Sequence, residues 1–155
     1  MSSPVIQKTA QPADHGEDFA VTLTLNEGYA FETTFDGTDV PALVVDEQPP
    51  LGAAAGPNPA RLLATAVGHC LGSSMLFCLR KAKVEPEALH ATVTGFMVRT
   101  ERGRLRIGGL RVSLDPVFKP SDRERAARCL DVFRDFCIVT ESVRNGIDVQ
   151  VAISP

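Results

Sequence analysis

Tryptophan is absent from this chain of 155 residues, and tyrosine occurs once. Aromatic residues make up 6% of it, which leaves little material for the stacking platforms that hold single-stranded nucleic acid. Positive charge is not in excess either. Sixteen Lys and Arg face nineteen Asp and Glu, for a formal net charge of −3, whereas a nucleic-acid partner calls for a basic surface. No apolar run reads as approaching the roughly 18 to 20 residues of a membrane helix, so no membrane partner is expected. Gly52 and Gly56 are followed by no Gly-Lys-Ser/Thr, which excludes a phosphate loop, and there is no serine nucleophile elbow. The segment from Met1 to Asp18 is polar, carries Pro4 and Pro12, and lacks the apolar stretch of a secretion signal.

What is present is ordinary for a globular domain: 44% hydrophobic and 23% charged residues, in a chain long enough to bury a core. Residues 1–18 read as a partly ordered leader and 19–155 as a single domain. A cytoplasmic location is expected, where structural disulfides are uncommon. Four cysteines in that compartment read as buried thiols, metal ligands or redox groups.

Val21, Leu23 and Leu25 alternate with threonines, Asn26-Glu27-Gly28 supplies turn chemistry, and Phe31, Thr33 and Phe35 alternate again, which predicts an antiparallel hairpin. Val40 to Val45 adds a short third strand, and Asp46 to Pro57 reads as an ordered loop. Asn58 is a good N-cap and Pro59 a good first helical residue, so a helix is expected from Pro59 to about Lys83, roughly 36 Å at about 1.5 Å per residue. Leu62, Leu63, Ala66, Val67, Cys70, Ser74, Phe77 and Cys78 fall on its expected buried stripe. Strands at Ala88 to Thr100 and Arg104 to Leu114 follow, joined by Glu101-Arg102-Gly103. Ser121, with Glu124 three residues on, reads as the capping box of a helix reaching about Arg134, with Ala127, Leu130 and Phe133 inward. Ile147, Val149, Val151 and Ile153 have the period of a closing strand. Hairpins and helices segregate, which predicts an α+β fold with antiparallel sheets, the long helix covered further by a second copy of the chain.

Cys70 lies midway along the long helix and Cys137 just after the later one. Either can serve as a redox thiol or as core filling, since cysteine is among the residues most often buried. Cys78 and Cys129 read as core or surface thiols. The seven-residue gaps in Cys70/Cys78 and Cys129/Cys137 are poor for zinc, whose structural sites prefer two to four residues between ligands, so no metal is expected.

Gly56-Pro57-Asn58-Pro59, then Leu62-Leu63 and Cys70, resembles the OsmC/Ohr family of hydroperoxide-reducing proteins. So do the stretch Phe133 to Ser142 around Cys137, the ending Val143-Arg144-Asn145-Gly146-Ile147-Asp148-Val149, and Arg102-Gly103-Arg104 at the opening of a strand. The resemblance spans roughly residues 20 to 154. It implies an intertwined homodimer with antiparallel sheets wrapped around long central helices. It also implies a cofactor-free thiol peroxidase: Cys70 matches the peroxidatic position, Cys137 the resolving one, with a dithiol such as a lipoyl group as reductant. The alternative is a non-catalytic OsmC-like domain that binds a small apolar or electrophilic ligand near Cys70.

Two departures bear on that choice. Relatives that act on organic peroxides carry a glutamate directly after the helix-opening proline, where this chain has Ala60, and an arginine in the N-terminal strands, where this chain has none before Arg61. Some relatives carry an acidic residue one position later, which here is Arg61 itself. A free thiol has a pKa near 8.5, so only about 3% is ionised at pH 7. Burial raises that value, so the reaction needs a cation or N–H donors aimed at the sulfur. Within one chain Arg61 and His69 point away from Cys70 on the helix, with Arg61 in reach of the other cysteine across a dimer and His69 still a candidate for a direct role. Arg99, Arg102, Arg104 and Arg106 of the second hairpin read as solvated surface charges or as replacements for the arginine.

Overall fold

The computed structural model describes residues 19–153; the expected leader at 1–18 lies outside them. Two compact units divide at Gly56 and Pro57.

The first unit is a three-stranded antiparallel sheet of β1 (Val21–Glu27), β2 (Ala30–Phe35) and β3 (Leu43–Val45), in that order. Alternation sets its register: Val21 faces Phe35, Leu23 faces Thr33 and Leu25 faces Phe31. The third strand is shorter than expected, three residues paired to Phe31, Glu32 and Thr33. The loop after it is ordered by Asp46. This buried carboxylate accepts the N–H groups of Glu47 (2.8 Å), Ala53 (2.9 Å) and Ala55 (3.0 Å). Those donors, the Ala55 N–H foremost, hold the Asp46 carboxyl below the ordinary range. Gly56 has to be glycine, because a Cβ there would run into the Val44 carbonyl.

The second unit holds α1 (Pro59–Lys81), β4 (Ala88–Arg99), β5 (Leu105–Val117), α2 (Arg123–Val132) and α3 (Ile138–Asn145), with 3₁₀ turns at Pro120–Asp122 and Phe133–Phe136. Asn58 caps α1 as its sequence predicts: Oδ1 accepts the Arg61 N–H at 3.0 Å, and Pro59 opens the helix. The core runs along Val67, Leu71, Met75 and Leu79, spaced four apart on α1, and continues through Val84, Ala126, Cys129, Phe133 and Cys137. Gly68 lets α1 lie close on β4, where an added Cβ would come within 2.7 Å of Val93 Cγ2. The β4–β5 hairpin pairs Ala88 with Val117 through Arg99 with Leu105, with a register shift at Phe96/Met97. The fold is the expected α+β arrangement of two antiparallel sheets with helices.

Several expectations are corrected. The buried stripe of α1 is centred on Leu71 and Met75, so Ala66 and Phe77 are exposed and Cys70 sits half-buried at its edge. At 23 residues, with an 18-residue stretch of mean hydropathy 1.7, α1 is long and apolar enough to cross a membrane, against the reading that no such run exists. Length and composition alone say this; the same stripe packs on the unit's own core. No capping box forms at Ser121. Asp122 precedes α2 without a side-chain cap, and its carboxylate pairs with Arg125. The helix ends at Val132 rather than Arg134, and Ala126 and Cys129 take the inward face expected of Ala127. Among the described residues, Ile147 to Ile153 pairs with no strand, and Ile147, Val149, Val151 and Ile153 are 65–86% exposed.

Candidate functional site

The second unit brings Cys70 and Cys137 together. Cys70 is carried by the middle of α1. Cys137 is carried by the turn in which the chain leaves the 3₁₀ segment Phe133–Phe136 and starts α3. This third helix is the element missing from the sequence reading, and it matters most for the site. Cys137 is its N-cap: the sulfur accepts the Thr140 N–H at 3.4 Å, and the S–H donates to Thr140 Oγ1 at 2.9 Å. A thiol in place of Ser, Thr, Asp or Asn hides the cap from a pattern reader, and β-branched Ile138-Val139-Thr140 suggests strand. Gly146 just past the end (φ +79°) and the Glu141–Arg144 pair (3.1 Å) are the signals that pointed to a helix.

Burial pushes the Cys70 thiol above its ordinary pKa, and the Cys137 side chain adds to the rise by hydrogen bonding and by charge. The backbone N–H groups of Val139 and Thr140, in the first turn of α3, act in the opposite direction and favour the thiolate. Cys137 is 1% exposed and Cys70 half-buried, so an incoming molecule meets Cys70 first.

The cations weighed in the sequence are elsewhere. Arg99 donates to the Gly103 carbonyl and Arg106 to the Leu105 carbonyl, each at 2.7 Å within their own hairpin. Arg61 and His69 line an open cavity of about 420 Å³ with Thr65, Gly68, Ala91 and Val93, and Cys70 is not part of that lining. Among the described residues, the groups that act on the Cys70 thiol are the Cys137 side chain and the two α3 amides, with no guanidinium.

Cys78 and Cys129 are not free thiols. They form a disulfide between α1 and α2, which corrects the reading of both as unpaired core or surface cysteines.

The model of the OsmC-like protein family matches residues 52–152, well over half of the chain. The chain belongs to this family. Solved structures agree on the fold. An OsmC-like protein from Mycoplasma pneumoniae superposes with a TM-score of 0.69 at 15% identity, covering 84% of this chain and 89% of that one. An organic hydroperoxide resistance protein from Legionella pneumophila gives 0.62 at 16%, covering 88% and 96%. The organic hydroperoxide resistance protein OhrB of Bacillus subtilis gives 0.54 at 23%, covering 86% and 96%. No curated protein sequence matches the chain.

Proposed function

We propose that this OsmC-like chain is a thiol peroxidase that reduces organic hydroperoxides or hydrogen peroxide, with Cys70 as the peroxidatic cysteine and Cys137 as the resolving one. The observation that carries the reading is the meeting of the two sulfurs under the first amides of α3. The Cys70 thiolate attacks the outer peroxide oxygen. An S–O bond forms, the O–O bond breaks, and the departing alkoxide takes a proton to leave as alcohol. The Cys137 sulfur then attacks the sulfenic sulfur: the S–O bond breaks, the departing hydroxide takes up the proton that Cys137 gives up and leaves as water, and a Cys70–Cys137 disulfide closes. An external dithiol, of which a lipoyl group is an example, restores both thiols.

Because no guanidinium among the described residues acts on Cys70, the N–H groups of Val139 and Thr140 supply the stabilisation that relatives draw from an arginine. Thiolate stabilisation by backbone donors at a helix start needs no net charge. We also propose that residues 19–155 work as one OsmC-like domain, in the cytoplasm, as a homodimer. The dimer accounts for exposed apolar side chains on the β4–β5 hairpin (Phe96, Met97, Leu105, Ile107) and on the C-terminal segment. The names of the hydroperoxide resistance relatives support the substrate class.

One observation favours the second reading, a ligand-binding domain without turnover: the balance of effects on Cys70 raises its pKa. Incubating reduced protein with cumene hydroperoxide or hydrogen peroxide separates the two. A peroxidase consumes peroxide and Cys70→Ser does not; a binding domain leaves Cys70 as thiol while its ligand protects it from alkylation.

A further inference from the structure

The Cys78–Cys129 disulfide has no part in the chemistry above. It joins α1 to α2 with the two Cα atoms 5.5 Å apart, and it closes a sequence separation of 51. Its position has a regularity. Cys70 and Cys78 stand eight residues apart on α1, and Cys129 and Cys137 stand eight apart on the returning segment. The pairing is nested in sequence, 78 with 129 inside 70 with 137, so the two pieces of chain run antiparallel and the four sulfurs make two rungs between them. One rung is a closed bond; the other is the pair of thiols at the site.

Between the rungs, the returning segment rests on α1 through buried Phe133, and no hydrogen bond joins the two across that stretch among the described residues. The polar ties lie outside that stretch: at one end the Cys137 side chain and the Val139 and Thr140 N–H groups meet Cys70, and beyond the disulfide Arg125 Nη1 donates to the exposed Lys83 carbonyl at 3.1 Å. The disulfide adds a covalent attachment to the apolar packing that otherwise holds the arm presenting Cys137.

We propose that Cys78 and Cys129 are a second redox pair: a brace whose closure holds the resolving arm against α1 and sets the rate at which Cys137 closes on oxidised Cys70. They are positioning residues, since neither touches the peroxide. The proposal rests on the peroxidase reading for its rate effect, and on the disulfide itself for its redox part. Closure removes two protons and two electrons from the thiols, breaking two S–H bonds and forming one S–S bond. A hydroperoxide accepts them, becoming alcohol and water, or an external disulfide does, becoming two thiols. Opening uses a dithiol. Its thiolate attacks the half-buried Cys78 sulfur, since Cys129 is 5% exposed, and Cys129 leaves as thiolate. The second thiol of the reductant then releases Cys78 as its own cyclic disulfide forms. The consequence is regulation by the thiol pool: a strongly reducing pool opens the brace and slows resolution, and an oxidised pool closes it and readies the arm.

The test compares the wild-type full chain with Cys78→Ser/Cys129→Ser in single-turnover reactions with cumene hydroperoxide, quenched and read by mass spectrometry. The expected result is an unchanged rate of Cys70 sulfenic acid formation and a disulfide-closing step slowed by about tenfold or more, the order expected for a reacting group that loses its positioning. A purely structural bridge moves both steps together or neither, and either outcome overturns the proposal. Should the double variant not fold, wild-type protein titrated with dithiothreitol gives the same comparison. There the brace must open and reclose with the native circular dichroism retained, and a brace that opens only on unfolding overturns the redox role. If Cys70 is untouched by hydroperoxide in every form, the peroxidase reading fails instead. The brace is then judged by the rate at which glutathione disulfide drives Cys70–Cys137 closure, braced against unbraced, and equal rates overturn it.

Discussion

Cys70 titrates under opposed influences, and the sign of their sum has consequences in solution. Burial and the neighbouring Cys137 raise its pKa, while the Val139 and Thr140 amides hold the rise down. The fold therefore favours the neutral thiol. The stability this gives is complete below the ordinary thiol pKa and is lost as pH climbs through the raised one. Alkylation of Cys70 by iodoacetamide should follow a pH profile whose midpoint lies above that of free cysteine; a midpoint below it would mean a cation acts on the sulfur after all. Peroxide consumption should rise along the same profile. Cys137→Ser should leave Cys70 able to make one sulfenic acid that dimedone traps, with no disulfide to follow. The sequence carried both positions, through the residues around each cysteine, but not the donors. The amides of Val139 and Thr140 belong to backbone whose helical state depends on a sulfur cap.

Elements read best where one residue decides a boundary. Asn58-Pro59 marks the start of α1 because an Asx cap and a proline suit those two positions and few others, and the alternation in β1 and β2 marks their register. Reading fails where tertiary contact chooses among equal local options. The segment from Ser121 reads as one helix to about Arg134, yet the chain forms α2, a 3₁₀ turn and then α3, an arrangement in which Phe133 and Cys137 both reach the core. The disulfide was within reach of arithmetic, since equal gaps of seven residues suit an antiparallel pair of segments. Read along one helix at a time, the same gaps suggested only a poor metal site. Two predictions belong here. Leu79, with no exposed surface, anchors α1 to α2; Leu79→Ala should cost about 2–5 kcal/mol in denaturant unfolding. The lowered pKa of Asp46 contributes stability that is present above the unfolded carboxyl value and disappears as pH falls through the folded one. Asp46→Asn should accordingly destabilise the loop at neutral pH and flatten the acid limb of the pH–stability curve, measured by thermal melts across pH.

At the scale of the molecule, the chain leaves a large amount of apolar surface uncovered. Ile147, Val149, Val151 and Ile153 alternate as a strand does, and pair with none among the described residues. A period-two pattern of that regularity is written for a sheet edge, and an unpaired one is a template for another chain. The same pattern led to a closing strand because period-two alternation marks a strand-like segment without saying which strand, if any, it pairs with. Sedimentation equilibrium should give a dimer, and Val149→Lys/Val151→Lys should shift it toward monomer. A wild-type monomer with the same melting behaviour as the variant would rule out the homodimer.

The most direct measurement is the fate of the two site sulfurs after one equivalent of hydroperoxide. Reduced protein treated with cumene hydroperoxide, then digested without reductant, should yield a peptide cross-linked through Cys70 and Cys137. One molecule of alcohol should form per protomer, and none with Cys70→Ser. Intact Cys70 thiol beside unconsumed peroxide, or equal consumption by the Cys70→Ser protein, would contradict the account.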